Sequence, residues 1–399
     1  MLRIALFLAC LAVLVLPAQA QSYQVEFERF LATKVVPAAK RAGISDKTLR
    51  RELGGLKPDT SLPGLARPGQ DNVPPKVNYQ AEFKAPASYF SEKQFNALVP
   101  KGRAILQRDA KLLDRIEKTY GVPRGILVAI WARETGYGAA KLPYDALTVV
   151  ATRAFMGQRQ SFYFEELIAA LKILDQGYIG RAAFRASWGG ALGQPQFLPS
   201  SFLKFAVDFD GDGQRDIWRS DADTLASIAN YLKSHGWVTG RDWGFEIVLP
   251  AHVSCTGEGP DRGKPIADWA KAGVTRVKAR EFPGHEVPRD GFLLLPAGRY
   301  GPAFLATENF YVLKAYNESD VYALFVGHLA DRLSGGGGFA SGWKAIPTAT
   351  RGAVRKLQLG MEQQGHDVGG ADGLIGFKTR RTLGLLQEKN GRAATCWID

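Results

Sequence analysis

RGILVAIWARETGYG, residues 124–138, is the stretch on which the reading of this 399-residue chain turns. Between Arg124 and Glu134 almost every side chain is apolar, which predicts a buried helix, and Gly136 and Gly138 then break it. Glu134 is thereby placed at a helix terminus. Desolvation by Ile130 and Trp131, together with the negative end of the helix dipole, disfavours an ionised carboxylate there and keeps a proton available for a leaving oxygen. A glutamate beside Arg133 and Lys141 is ordinarily a paired surface residue, so the case for chemistry has to come from elsewhere in the chain.

Outward from this stretch, apolar residues at three- and four-residue spacing predict helices over 23–53, 92–120, 123–134, 162–176, 199–207, 223–235 and 319–333. Pro58, Pro63, Pro68, Pro74 and Pro75 make 57–75 irregular surface chain. Short apolar runs such as FEIVL (245–249) and GFLLL (291–295), separated by Gly and Pro, predict a small β-containing insertion over about 242–300. The expected fold is mainly α, with a large α+β domain over 21–333 carrying that insertion. Four glycines, Gly335 to Gly338, predict a flexible linker over 334–347, with a small domain after it over 348–399.

Composition leaves several classes open and weakens others. With 46% hydrophobic and 23% charged residues the chain is ordinary globular protein, long enough for more than one domain. A net charge of +12 suits an acidic polymer, yet Lys and Arg are dispersed without a basic run, which argues against nucleic acid. Arg3, the apolar run from Ile4 to Leu16 and Ala18-Gln-Ala20 form an export leader over 1–20, so a periplasmic location is expected. The run falls short of the roughly 20 apolar residues of a membrane anchor. Phe7-Leu8-Ala9 is a poor lipidation signal ahead of Cys10. Cys255 and Cys396 would remain in an oxidising compartment, either as a disulfide or as two free thiols.

Downstream of ETGYG (134–138) stands SWGGALGQPQFLPSS (187–201). Together these resemble the lysozyme-like lytic transglycosylases of the membrane-bound lytic transglycosylase B family, whose signature is E-T-x-Y-G followed by G-A-x-G-x-P-Q-F-x-P-S. The resemblance continues through ANYL (229–232), HGW (235–237) and YNESDVYA (316–323). It implies that Glu134 protonates the glycosidic oxygen between N-acetylmuramic acid and N-acetylglucosamine in peptidoglycan. As a carboxylate it would then take a proton from the muramic C6 hydroxyl, which attacks C1 to give a 1,6-anhydro end. A hydrolytic muramidase or a non-catalytic wall-binding scaffold is the rival reading. Ser187, Gln196, Tyr231, Tyr316, Asn317 and Tyr322 are carried over as substrate-binding residues, each equally open to a core or capping role. Asp145, in YDAL (144–147), reads as a cap rather than a second catalytic carboxylate. Gln158 stands where the family favours the first of two arginines, leaving that residue's contacts unassigned.

DFDGDGQRD (208–216) alternates acidic oxygens and puts Gly213 where a calcium loop turns sharply. One structural Ca2+ on Asp208, Asp210, Asp212, Gln214 and Asp223 is the expectation, although Arg219 occupies the closing position of the standard loop, and a metal-free Asp/Gly turn is the alternative. No organic cofactor is expected, since the glycines fit no phosphate-cradling pattern. AVRKLQ (353–358), ADGLIG (371–376) and Thr379-Arg380 resemble a small peptidoglycan-binding module, which implies a three-helix domain over 348–399 that would raise local substrate concentration. Expected partners are peptidoglycan glycan strands and, as candidates, other cell-wall machinery.

Overall fold

The computed structural model describes residues 15–66 and 86–398, with side chains from Tyr23 onward. The leader expected over 1–20 falls largely outside the described residues, as do Pro68, Pro74 and Pro75. No described helix is long and apolar enough to cross a membrane. The chain is mainly helical with a small β-containing insertion, and it divides into two compact units. One comprises 15–66 and 134–228, the other 86–133 and 229–398.

In the first unit, helices Ala146–Met156 and Gln160–Asp175 lie against each other, with Pro199–Phe205 against the second. Nine of the eleven residues of Ala146–Met156 are buried. A helix buried on all sides carries no amphipathic stripe, which is why spacing alone did not predict it. Asp145 starts it: its carboxylate accepts from the Thr148 amide at 2.8 Å and binds the Arg181 guanidinium at 2.7 Å through each oxygen. The expected 23–53 helix is divided into Val15–Phe30, Val36–Arg41 and Asp46–Leu53, with one wider turn at Leu31–Val35 and a break at Gly43, whose φ is +82°.

The second unit is built on helix Asp320–Leu333, of whose fourteen residues eleven are buried. Glycine is required at 327, because a Cβ there would lie 2.4 Å from the Trp243 indole. Helix Glu92–Arg108 packs against it and is followed, after a break at Asp109, by Ala110–Tyr120, which packs on Glu92–Arg108. The insertion is an antiparallel five-stranded sheet in the order Lys264–Pro265, Asp290–Leu294, Ala303–Ala306, Gly244–Val248, Thr275–Arg276. It extends a few residues beyond the expected 300, because Ala303–Ala306 is its central, fully buried strand.

The glycine-rich stretch expected to be flexible is held in place. Glu246 accepts from the amides of Ala340 and Ser341 at 2.9 and 2.7 Å, and Phe339 and Trp343 stack against Phe90 with centroids 5.3 and 5.4 Å apart. Beyond it, the described residues form two helices, Arg351–Gln363 and Phe377–Lys389, rather than three. Left-handed glycines at 365, 369, 370 and 373 keep the intervening chain irregular. Cys255 and Cys396 are joined as a disulfide and share the insertion's core with Phe245, Trp269 and Leu305. Beside them Arg380 and Glu258, both buried, form a two-bonded ion pair at 2.9 and 2.6 Å.

His328 lies 4% exposed within this unit, stacked on Phe339 at 3.8 Å and edge-on to Phe95 at 5.0 Å. Burial, reinforced by Arg332, pushes its pKa from 6.5 down to about 4. A histidine depressed in the folded state contributes full stability above about pH 6.5. That contribution declines as pH falls toward 4, where the unfolded chain takes the proton and the folded one does not. The expected cost between pH 7 and 4.5 is about 2–3 kcal/mol, measurable as urea midpoints. His328→Leu should lose less stability over that interval; an unchanged pH dependence would contradict the assignment.

Candidate active site

Glu134 is the penultimate residue of helix Arg124–Thr135 and is half-buried. Its surroundings are set by the residues that follow it. Gly136, Tyr137 and Gly138 adopt φ of +60°, +64° and +76°, three consecutive left-handed residues that reverse the chain. A tyrosine in that region is strained, and strain of this kind persists where the surroundings over-determine it. Thr135 supplies part of that determination: its hydroxyl donates to the Gln194 carbonyl at 2.9 Å and accepts from the Gly138 amide at 3.2 Å. The segment bearing Glu134 is thus bonded directly to the segment bearing Gln194 and Gln196. Burial raises the Tyr137 phenol well above its ordinary range, so its hydroxyl stays neutral.

The second motif folds as two tight turns. Ser187 accepts the Ala191 amide on its hydroxyl at 3.2 Å, and the two residues exchange a backbone bond at 2.9 Å. Leu192 and Phe197 pair across the next turn. Within it Gln196 is left-handed at +55°, its side-chain amide donating to the Gly193 carbonyl at 2.9 Å. Gly193 has φ +58°, and a Cβ there would meet the Ile217 carbonyl at 2.6 Å, so close backbone approach accounts for this glycine. Trp188, at the tip of the first turn, is 47% exposed. Beneath it Arg153 donates to its carbonyl at 3.0 Å and stacks on its ring at 5.1 Å. Sequence reading passed over both residues; a tryptophan between Ser187 and two glycines was the available signal.

Tyr231, Tyr316 and Tyr322 come together in the second unit. The Tyr231 ring lies 4.8 Å from Tyr316 and stacks on His235 at 3.9 Å, and its hydroxyl donates to the Ala315 carbonyl at 2.8 Å. Burial, with Glu318 nearby, pushes its pKa up to about 12. Tyr322 is 2% exposed and parallel to Tyr316 at 6.3 Å, so it backs that ring from the core. Asn317 is exposed in the turn between the two tyrosines. Arg133, next to Glu134 in sequence, donates to the Tyr89 hydroxyl at 2.8 Å and lies over the rings of Tyr89 and Phe325.

In the acidic loop, carboxylate oxygens of Asp208, Asp210 and Asp212 converge within 4.8 Å of one another. Gly213, at φ +88°, donates its amide to Asp208 at 2.8 Å and turns the chain. Asp223 stands outside that set: its two oxygens accept the amides of Phe209 and Asp216, each at 2.8 Å, tying the two ends of the loop to helix Asp221–Ser234. Gln214 is exposed and donates its amide to Asp212 at 2.8 Å, and the three hard oxygen donors suit a cation such as calcium.

In this mainly helical chain, a half-buried glutamate at a helix end, followed by a turn rich in left-handed residues, is the candidate acid. The chain belongs to the transglycosylase SLT domain family, which matches residues 26–331. It is similar to membrane-bound lytic murein transglycosylase B of Escherichia coli (strain K12), 32% identical over 225 residues. That match takes in 56% of this chain and 60% of the relative, so it spans less than two thirds of the relative's length. Among solved structures, SltB3 from Pseudomonas aeruginosa in complex with NAG-NAM-pentapeptide superposes with a TM-score of 0.81 at 35% identity, covering 94% of this chain and 97% of that one. Escherichia coli lytic transglycosylase Slt35 in complex with calcium gives a TM-score of 0.58 at 26% identity, over 77% of this chain and 91% of that one.

Proposed function

We propose that this protein is a lytic transglycosylase that cleaves peptidoglycan between N-acetylmuramic acid and N-acetylglucosamine with Glu134 as its single acid and base. Glu134 donates its proton to the glycosidic oxygen as the C1–O bond breaks. The resulting carboxylate takes the proton of the muramic C6 hydroxyl, whose oxygen bonds to C1. No water is consumed, and the product carries a 1,6-anhydro ring.

The observation that favours internal transfer over hydrolysis is the state of Asp145. A hydrolase needs a second carboxylate as nucleophile or to activate water. Burial raises the Asp145 carboxyl, but its bonds with Arg181 and Thr148 outweigh that and hold it below its ordinary value, as suits a structural anion. Trp188 offers an exposed apolar face to a sugar ring, and Ser187, Gln196, Tyr231, Tyr316 and Asn317 are assigned to orient the strand, with Tyr322 supporting Tyr316. The test is digestion of purified peptidoglycan followed by mass spectrometry. Anhydro ends, one water lighter than reducing ends, are expected; reducing ends would overturn the mechanism, and intact strands would leave a binding scaffold.

A structural calcium ion is part of the same reading, held by Asp208, Asp210 and Asp212 with the Gln214 carbonyl. It would stiffen the loop between the Gln196 turn and helix Asp221–Ser234. Calcium at 100 times its dissociation constant should add about 2.7 kcal/mol to stability. Chelation should lower the melting temperature of the wild type and leave Asp210→Asn/Asp212→Asn unmoved; equal curves for the wild type with and without chelator would dismiss the ion.

A further inference from the structure

A cavity of about 350 Å3 opens in the second unit between the insertion's edge strand and the glycine-rich stretch that follows helix Asp320–Leu333. Its volume falls in the range of small-ligand sites. None of the residues assigned to glycan cleavage faces it. Charges of both signs do: Arg276, Lys278 and Arg280 from one segment, Asp242 and Asp331 from two others. Glu246 also borders the cavity, but its oxygens are taken by the amides of Ala340 and Ser341.

These charges are not closed on one another. Among the described residues, neither Asp242 nor Asp331 comes within 4.0 Å of a basic group on Arg276, Lys278 or Arg280. Arg276 lies over the Phe245 ring at 4.8 Å and donates through one terminal nitrogen to the Glu281 carbonyl at 2.8 Å, while its Nε is buried with no partner. A buried donor left without a partner destabilises the fold, and a ligand oxygen accepting from it would remove that penalty. Burial, reinforced by Arg280, lowers the Arg276 pKa, as expected for a cation lacking a close counter-charge. At the rim Lys278 and Ala279 take φ of +58° and +51°, two successive non-glycine residues in the left-handed region. Backbone strain of this kind concentrates at ligand clamps.

We propose that this cavity binds the charged end of a short zwitterionic peptide, its carboxylate on Arg276 and Lys278 and its ammonium between Asp242 and Asp331. Asp331 accepts the Trp243 indole N–H at 3.3 Å on one oxygen and, pushed up to about 7 by burial, carries only part of its charge at neutral pH, so three cations against Asp242 and Asp331 favour a peptide with at least one more carboxylate than ammonium. On the proposed function, the peptide stems of the wall are the members of that class the protein meets, so the inference rests on that reading for its ligand. The cavity would then hold a stem while another part of the chain cuts the strand. Phe339 and Ala340 form part of its wall, so occupancy would also brace the stretch leading to the C-terminal helices.

Calorimetry on the full chain with a free wall pentapeptide tests this, beside the same peptide acetylated and amidated at its ends. The free peptide should bind, and the blocked one at least about tenfold more weakly. Arg276→Gln and Asp242→Asn should each weaken binding about tenfold, with cleavage of stem-free glycan strands unchanged. Lys278→Gln, on an exposed side chain, should show the same trend should Arg276→Gln fail to fold by its melting curve. Absence of binding, or binding unaltered in Lys278→Gln and Asp242→Asn, overturns the assignment. Cleavage of stem-free strands without stem binding overturns the cavity's role alone. Stem binding without any cleavage overturns the proposed reaction and the name of the ligand, and leaves the zwitterion site.

Discussion

Glu134→Gln should lower the rate of strand cleavage by about 10³-fold or more while leaving the melting temperature within about 2 °C of the wild type. Glutamine keeps the size and the hydrogen-bonding capacity of the side chain, so helix Arg124–Thr135 and the Thr135–Gln194 bond should survive. What it removes is the proton that must reach the leaving oxygen and the carboxylate that must later accept one. In the proposed mechanism a single group serves both steps and no other residue inherits either role, so the loss should fall on kcat with KM nearly constant. The readout is the yield of anhydro-ended fragments per unit time. Retention of more than about a tenth of the wild-type rate would remove Glu134 from the mechanism, since general acid catalysis alone is worth about 10²–10⁴. Asp145→Asn separates the two carboxylates in the other direction: it should lower stability through the lost Arg181 bonds and should not change the product from anhydro to reducing ends.

The second large effect concerns the covalent bond between Cys255 and Cys396. It closes a span of 141 residues, from the insertion to the end of the last helix pair. On the chain-entropy account a loop of that size is worth about 5 kcal/mol, and measured values fall mostly between about 2 and 5. Cys255→Ala/Cys396→Ala avoids stray thiols and should lower the urea unfolding free energy by that amount. The Arg380–Glu258 pair remains in the double variant, so the C-terminal helices should still dock at low temperature. A drop below about 1 kcal/mol would mean that this pair and the shared apolar core already hold the helices without the disulfide.

Reading the chain from its residues went furthest where periodicity and punctuation agreed. The helices around 92–120, 124–134 and 320–333 follow from apolar spacing, and the break after Glu134 follows from two glycines. Helix Ala146–Met156 escaped because burial on every face erases the period, and its cap, Asp145, was recognisable only from the residue type. The position of Glu134 within its helix was readable; the left-handed geometry of Tyr137 was not, because nothing local favours a tyrosine there and the long-range bond from Thr135 to Gln194 fixes it. The aromatic cluster of Tyr231, Tyr316 and Tyr322 joins residues up to 91 positions apart, which only the resemblance of separate blocks could suggest. Glycine content misled at 334–347: composition describes what an isolated segment can do, whereas Glu246 and Phe90 decide what this one does.

The docking of the last two helices onto the insertion changes what kind of device they form. A module on a loose tether samples a sphere of positions and finds its target by diffusion, in any orientation. One welded by Cys255–Cys396 and keyed by Arg380 into Glu258 has a single pose against the sheet. Whatever surface those helices present is therefore offered in one orientation relative to the insertion, so a partner reaching it is selected by the angle of its approach as well as by its chemistry.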